Sequence, residues 1–127
     1  MASVEVNGRI FDEYVSAHEI AECVKKVADR INKDYAEKEP LFVCILNGAF
    51  MFASDLFKQI EMSAEITFVR LKSYEGTKTT GDVKLLSPLA VNLEGRDVIV
   101  VEDIVDTGLT MHGFITYLKN AGANSVE

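Results

Sequence analysis

A chain of 127 residues fits one domain, and its 48% hydrophobic and 26% charged content is an ordinary globular balance. No internal repeat, low-complexity tract or bilayer-length apolar run is present, and the start, Met1-Ala2-Ser3-Val4-Glu5, lacks a basic region followed by an apolar one, so neither a solenoid, a membrane span nor export is expected. The net charge of −7 and the scattered basic residues exclude a duplex-binding surface, which needs clustered Lys and Arg; a small anion held by backbone amides, a helix N-terminus and a divalent cation stays open.

Residues 9–15 form a short mixed segment, a strand or an arm. Ser16-Ala17-His18-Glu19 is a capping box, and Ile20, Val24, Val27, Ile31 and Tyr35 follow at helical spacing, so residues 17–36 are expected to be an amphipathic helix. Residues 41–46 are apolar throughout, as in a strand covered on both faces, and Asn47-Gly48 breaks it. A second helix is expected over residues 49–60, with Phe50, Ala53, Phe57 and Ile60 on one side.

Residues 65–71 read as a second strand, 72–82 as a polar, mobile loop with two glycines, and 83–89 as a third strand interrupted by Pro88. A turn at Glu94-Gly95 leads into a buried strand over 97–101, then a polar loop over 102–110. Residues 111–120 fit a helix ended by Gly122, and 125–127 begin another strand. Alternating strands and helices imply a mostly parallel sheet flanked by helices, with binding sites beyond the carboxyl ends of its strands. The loops after Leu46, Leu71 and Val101 should converge there. Cys23 and Cys44 sit in apolar patterns without metal-ligand spacing; both are expected to be buried free thiols of a cytosolic protein, a disulfide being the less favoured alternative.

The chemically informative stretch is Val98-Ile99-Val100-Val101-Glu102-Asp103-Ile104-Val105-Asp106-Thr107-Gly108-Leu109-Thr110. A buried strand delivers two adjacent acids, a third follows three residues later, and Thr-Gly-x-Thr opens a helix. Consecutive amides around Gly108 at a helix N-terminus make a phosphate cradle, Thr107 and Thr110 add hydroxyl donors, and Gly108 admits a close backbone approach. As bare acids, Glu102, Asp103 and Asp106 are equally compatible with a solvated loop; the strand before them and the Thr-Gly-x-Thr after them favour the cradle. Asn47-Gly48 alone reads as a hairpin turn, but the helical pattern after it argues otherwise. His18 and His112 read as surface residues. Phe50, Phe52 and Phe57 read as core or subunit contact rather than a base-stacking box.

This stretch resembles the diphosphate-sugar signature of the type I phosphoribosyltransferases, and its Glu-Asp-x-x-Asp-Thr-Gly form resembles the hypoxanthine-guanine branch. Leu46-Asn47-Gly48-Ala49-Phe50 is similar to that family's pyrophosphate loop, and Lys72-Ser73-Tyr74 with Thr80-Gly81-Asp82-Val83 to its flexible catalytic loop. The resemblance implies a Rossmann-like fold over residues 1–127, phosphoribosyl pyrophosphate with Mg2+ as substrate, and a purine base, hypoxanthine or guanine, as acceptor. Glu102 and Asp103 are then expected to hold the ribose hydroxyls with magnesium nearby. Asp106 is expected to act as general base or hydrogen-bond partner to the purine. Residues Asp106, Thr107, Gly108, Leu109 and Thr110 are expected to bind the 5-phosphate. Asn47 and Gly48 would offer amides to pyrophosphate, with the peptide after Leu46 in the cis form, and Ser73 and Tyr74 would close over the reaction. A homodimer or homotetramer is implied, with no nucleic acid and no membrane partner.

Two departures accompany the likeness. Asn47 stands where the family often has Lys, so the loop keeps its amides without that cation. The family continues past this point with another core strand, a lysine and an aromatic residue for the base and an acid for a second magnesium, so the expectation is an N-terminal portion, incomplete at the C-terminus. A regulatory protein that binds phosphoribosyl pyrophosphate without catalysis is the alternative; Asp106 favours the enzyme, because a pure binder needs no base there. A receiver-like signalling domain is disfavoured, since Asn47 and Lys72, not a phosphoacceptor Asp, stand at the other strand ends.

Overall fold

The structure, a computed structural model, describes residues 3–73, 83–86, 89–105 and 108–127. At its centre lies a four-stranded parallel sheet formed by β3 (Leu41–Ile45), β4 (Glu65–Val69), β7 (Asp97–Val101) and β8 (Ser125–Val126), in the order β4-β3-β7-β8. Helix α1 (Ala17–Asp34) and helix α2 (Phe50–Phe57) cover one face of it, and α3 (Leu109–Asn120) covers the other. This is the expected α/β architecture.

The pleat explains why β3 is apolar at every position. Phe42 and Cys44 point into a core with Val24 and Ala28 of α1 and Ala53 and Leu56 of α2. Leu41, Val43 and Ile45 point the other way, against Phe114 and Leu118 of α3. Strand β7 alternates likewise, with Ile99 and Val101 toward α1 and α2 and Val98 toward α3. Register follows from this two-sided burial, since a slip by one residue would exchange the two cores.

Helix α1 begins where the capping box places it. Ser16 Oγ accepts from the Glu19 N–H at 3.1 Å and Glu19 Oε1 accepts from the Ser16 N–H at 3.2 Å. Its buried stripe is narrower than the spacing predicts: Val24, Ala28 and Tyr35 are buried, whereas Ile20 is 51% and Val27 40% exposed. Cys23 is exposed, contrary to expectation, because it lies about 100° round the helix from Val24, off the stripe that meets the sheet. Cys44 is buried as expected, and both thiols are free.

Helix α2 stops at Phe57 rather than Ile60. Asn32 of α1 draws the chain away there: its Nδ2 donates to the Gln59 carbonyl at 2.9 Å and its Oδ1 accepts from the Glu61 N–H at 2.8 Å. The buried residues of α2 are Ala53 and Leu56, while Phe50 is exposed and Phe57 packs edge-on against Phe42. Helix α3 starts two residues earlier than its apolar pattern indicated, at Leu109, and Gly122 follows its end with φ of 104°.

Two antiparallel hairpins lie outside the parallel sheet. Near the start, β1 (Val4–Val6) and β2 (Arg9–Phe11) pair through Asn7 and Gly8, both with positive φ, as a two-residue Asn-Gly hairpin turn requires. The second hairpin corrects the expected strand count: residues 65–71 are not one strand, the described start of 83–89 is not in the parallel sheet, and Pro88 lies outside the described residues. The chain breaks at Arg70, and β5 (Leu71–Ser73) pairs antiparallel with β6 (Val83–Leu85). The loop expected over residues 72–82 thus begins in a strand, and residues 74–82 lie outside the described residues. Among the described residues, no helix is long and apolar enough to cross a membrane.

Candidate active site

Strand order creates the site. Because β3 is hydrogen-bonded to β4 on one side and β7 on the other, three loops far apart in sequence emerge side by side at the carboxyl edge of the sheet.

The first is Leu46-Asn47-Gly48-Ala49. The Leu46 N–H donates to the Val69 carbonyl at 2.8 Å, which anchors the loop to β4. The Leu46–Asn47 peptide is cis, as the family resemblance implied. The Asn47 carbonyl accepts from the Phe50 N–H at 3.3 Å, and Ala49, fully buried, seats the start of α2.

The second loop carries the acid pair. Glu102, half-buried, and Asp103, exposed, leave the end of β7, and Glu102 Oε1 accepts from the Asp103 N–H at 2.9 Å. Asp103 Oδ1 accepts from the Ile104 N–H at 2.9 Å. Burial, then a side-chain hydrogen bond with Asp103, raises the Glu102 carboxyl above its ordinary range. That same bond is the main reason the Asp103 carboxyl lies below its ordinary range. Two acids this close favour a shared proton or a cation beside them. Beneath them Cys44 is raised by burial and by the charges of Glu102 and Asp103, which makes it an inert core thiol.

The two loops touch at Gly48. A Cβ built there would lie 2.8 Å from Asp103 Oδ2 and 3.2 Å from its Cγ, so a side chain at position 48 competes with the carboxylate for space.

The same connection that carries the acids is followed by α3. Gly108 takes φ of 82° and is the residue before the helix, with no side chain capping the first turn. The first helical bond is donated by His112 to the Gly108 carbonyl at 2.8 Å. Leu109, Thr110 and Met111 form the first helical turn, whose N–H groups an α-helix leaves without intrahelical partners and can offer to an anion. Thr110 stands half-buried in this turn. Asp106 and Thr107 lie outside the described residues, as does Tyr74; Ser73 ends β5, and its side chain and that of Leu109 are likewise not described. Both histidines are on the surface, His18 in a 3.2 Å pair with Glu22.

One residue escaped the sequence reading. Arg70, at the β4–β5 break, donates from Nη2 to Asn47 Oδ1 at 3.0 Å. A lone Arg after an apolar strand gives no signal by itself; only the pairing of β3 with β4 puts it beside Asn47.

A doubly covered parallel sheet with acids, a glycine loop and a helix N-terminus at its carboxyl edge defines an α/β domain whose candidate site lies at that edge. The phosphoribosyl transferase domain family matches residues 11–127, and the chain belongs to that family. A hypoxanthine-guanine phosphoribosyltransferase from Streptococcus pyogenes is 40% identical over 113 residues, covering 88% of this chain and 63% of the relative. A hypoxanthine-guanine-xanthine phosphoribosyltransferase from Tritrichomonas foetus is 39% identical over 101 residues, covering 80% of this chain and 55% of the relative. The crystal structure of a hypoxanthine-guanine phosphoribosyltransferase from Bacillus anthracis superposes with a TM-score of 0.88 at 38% identity, covering 94% of this chain and 71% of that one. The chain thus spans a little under two thirds of the curated streptococcal relative's length.

Proposed function

We propose that the protein is a purine-salvage enzyme that transfers the phosphoribosyl group of phosphoribosyl pyrophosphate to hypoxanthine or guanine, giving IMP or GMP and pyrophosphate. Residues 1–127 are its phosphoribosyltransferase core domain in this reading. The observation that carries it is the meeting of the Asn47-Gly48 loop with Asp103, beside Glu102 at the end of β7. A diphosphate on the loop and a ribose on the acids would then share one bond, the bond that breaks.

The purine nitrogen attacks the anomeric carbon as the carbon–oxygen bond to pyrophosphate breaks, and positive charge builds on the sugar ring. Glu102 and Asp103 hold the ribose hydroxyls and offset that charge. Asp106 takes the proton from the purine's five-membered ring, or holds that ring by a hydrogen bond. Amides and hydroxyls of Asp106, Thr107, Gly108, Leu109 and Thr110 bind the 5-phosphate at the start of α3. Leu46, Asn47 and Gly48 present the pyrophosphate loop, and Ser73 and Tyr74 close over the reaction to exclude water.

The donor set fits Mg2+, since the acid pair offers hard carboxylate oxygens and magnesium typically takes one or two of these with substrate phosphates and water. Glu102 and Asp103 are the residues that would hold it, and when bound it supplies positive charge against the diphosphate. Free Cys23 and Cys44 accord with a reducing cytosol. Assembly as a homodimer or homotetramer would use α2, where Phe50 is 55% and Met51 66% exposed.

The test is a turnover assay with phosphoribosyl pyrophosphate, magnesium and either base, comparing the protein with Asp106→Asn. The variant should lose turnover far more than sugar-diphosphate affinity, on the order of 10²-fold or more for a general base. Equal turnover in both would remove Asp106 from the mechanism. Tight binding of phosphoribosyl pyrophosphate with no nucleotide formed would favour the regulatory alternative.

A further inference from the structure

We infer that Arg70 is the protein's fixed cation for the diphosphate end of the substrate, held in place by Asn47. The inference rests on the function proposed above and adds to it a residue that the sequence motifs do not contain.

The electrostatic problem is local. The chain carries a net charge of −7, and the loop that would meet a diphosphate is flanked by Asp103, whose carboxylate lies against Gly48. Asn47 and the loop amides are neutral and offer only dipoles. A substrate bearing several negative charges would sit beside two acids, and repulsion among them needs a counter-charge on the protein as well as any metal.

Arg70 stands where that charge is required. Asn47 and Gly48 lie at the end of β3; β7 brings Asp103 to one flank of them, and β4 brings Arg70 to the other. Asn47 Oδ1 accepts one guanidinium N–H at 3.0 Å. A guanidinium has five N–H donors, so this contact orients the group and leaves donors for phosphate oxygens, which it matches in a bidentate fork. The Arg70 main chain is itself fixed, because its carbonyl accepts from the Leu86 N–H at 2.9 Å, at the end of the β5–β6 hairpin. One residue therefore ties the diphosphate loop to the hairpin that carries Ser73. Both Arg70 and Asn47 side chains are on the surface, and among the described residues the guanidinium's hydrogen-bond partner is Asn47.

The experiment is titration calorimetry on the protein with three probes: phosphoribosyl pyrophosphate and inorganic pyrophosphate, each with magnesium, and ribose 5-phosphate, which lacks the diphosphate. Arg70→Gln should weaken the first two about tenfold or more, the scale of a lost charge-assisted hydrogen bond, and leave ribose 5-phosphate within about twofold. Arg70→Lys should recover part of the loss. Adding Asn47→Lys to Arg70→Gln should recover more, because it moves the positive charge across a 3.0 Å contact onto the loop itself. Parent-like binding of both diphosphates by Arg70→Gln overturns the inference and leaves the proposed function standing. An equal loss for ribose 5-phosphate also overturns it, by making Arg70 a structural residue. Failure of the parent to bind any of the three probes overturns the functional reading, and this inference with it.

Discussion

Replacing Gly48 with alanine adds one methyl group where the structure has the least room for it. The new Cβ would sit 2.8 Å from Asp103 Oδ2, whereas ordinary contact begins near 3.4 Å, so the carboxylate must give by about 0.6 Å. Gly48 does not have a positive φ, so alanine brings no backbone strain, and the whole effect falls on Asp103. Moving that side chain strains or breaks its 2.9 Å bond from the Ile104 N–H, worth about 1 kcal/mol. The melting temperature should therefore fall by only about 3–5 °C. Function should suffer more, because binding constellations tolerate about 0.5 Å of misplacement, and a shift of this size costs roughly ten- to a hundredfold. Calorimetric titration with magnesium and phosphoribosyl pyrophosphate, run beside thermal melting, measures both. Affinity within twofold of the parent would refute the argument that the loop and Asp103 share one site. A cycle with Asp103→Asn sharpens the test: if Gly48→Ala acts through that carboxylate, its effect should shrink once the carboxylate is gone.

The acid stability of the β7–β8 pair rests on Asp97, whose Oδ1 accepts from Asn124 Nδ2 at 2.9 Å and from Ser125 Oγ at 2.7 Å. The Ser125 bond first, then the Asn124 bond, holds its carboxyl below the ordinary 3.8. A lowered folded-state pKa adds stability that is fully present above 3.8 and is lost as pH falls through the folded value. Asp97→Ala should cost about 1–2 kcal/mol near neutral pH, and its gap from the parent should narrow in acid well below the ordinary 3.8. Denaturant melts at both pH values check this, and a gap that does not change with pH would remove the carboxylate's charge from the explanation. Cysteine accessibility gives a second test of the fold. Iodoacetamide on the native protein should label exposed Cys23 and spare Cys44, which is buried and whose thiol is raised by that burial and by Glu102 and Asp103. Mass spectrometry should show one adduct before denaturation and two after; rapid native labelling of Cys44 would contradict the packing of β3.

What the sequence determined by itself was whatever local pattern controls. Ser16 and Glu19 fix the start of α1 through bonds three residues apart. The apolar runs at 41–46 and 97–101 declare strands buried on both faces, and the acids after Val101 mark a candidate site at a strand end. The same dipeptide shows where local pattern stops. Asn7-Gly8 turns a hairpin and Asn47-Gly48 leads from a cis peptide into a helix, and the residues that follow, not the pair, distinguish them. Cys23 was misread because helical spacing fixes a period but not which side meets the sheet. The split of 65–71 into β4 and β5 escaped because a continuous β pattern does not reveal that Arg70 leaves one sheet for another. Only the tertiary structure decided which loops become neighbours. Strand order β4-β3-β7 sets Arg70 on one side of Asn47 and Asp103 against Gly48, contacts 23 and 55 residues apart in the chain. Sequence periodicity reports each strand's own faces; lateral order depends on the packing of all of them at once, and it is that order which assembles the site.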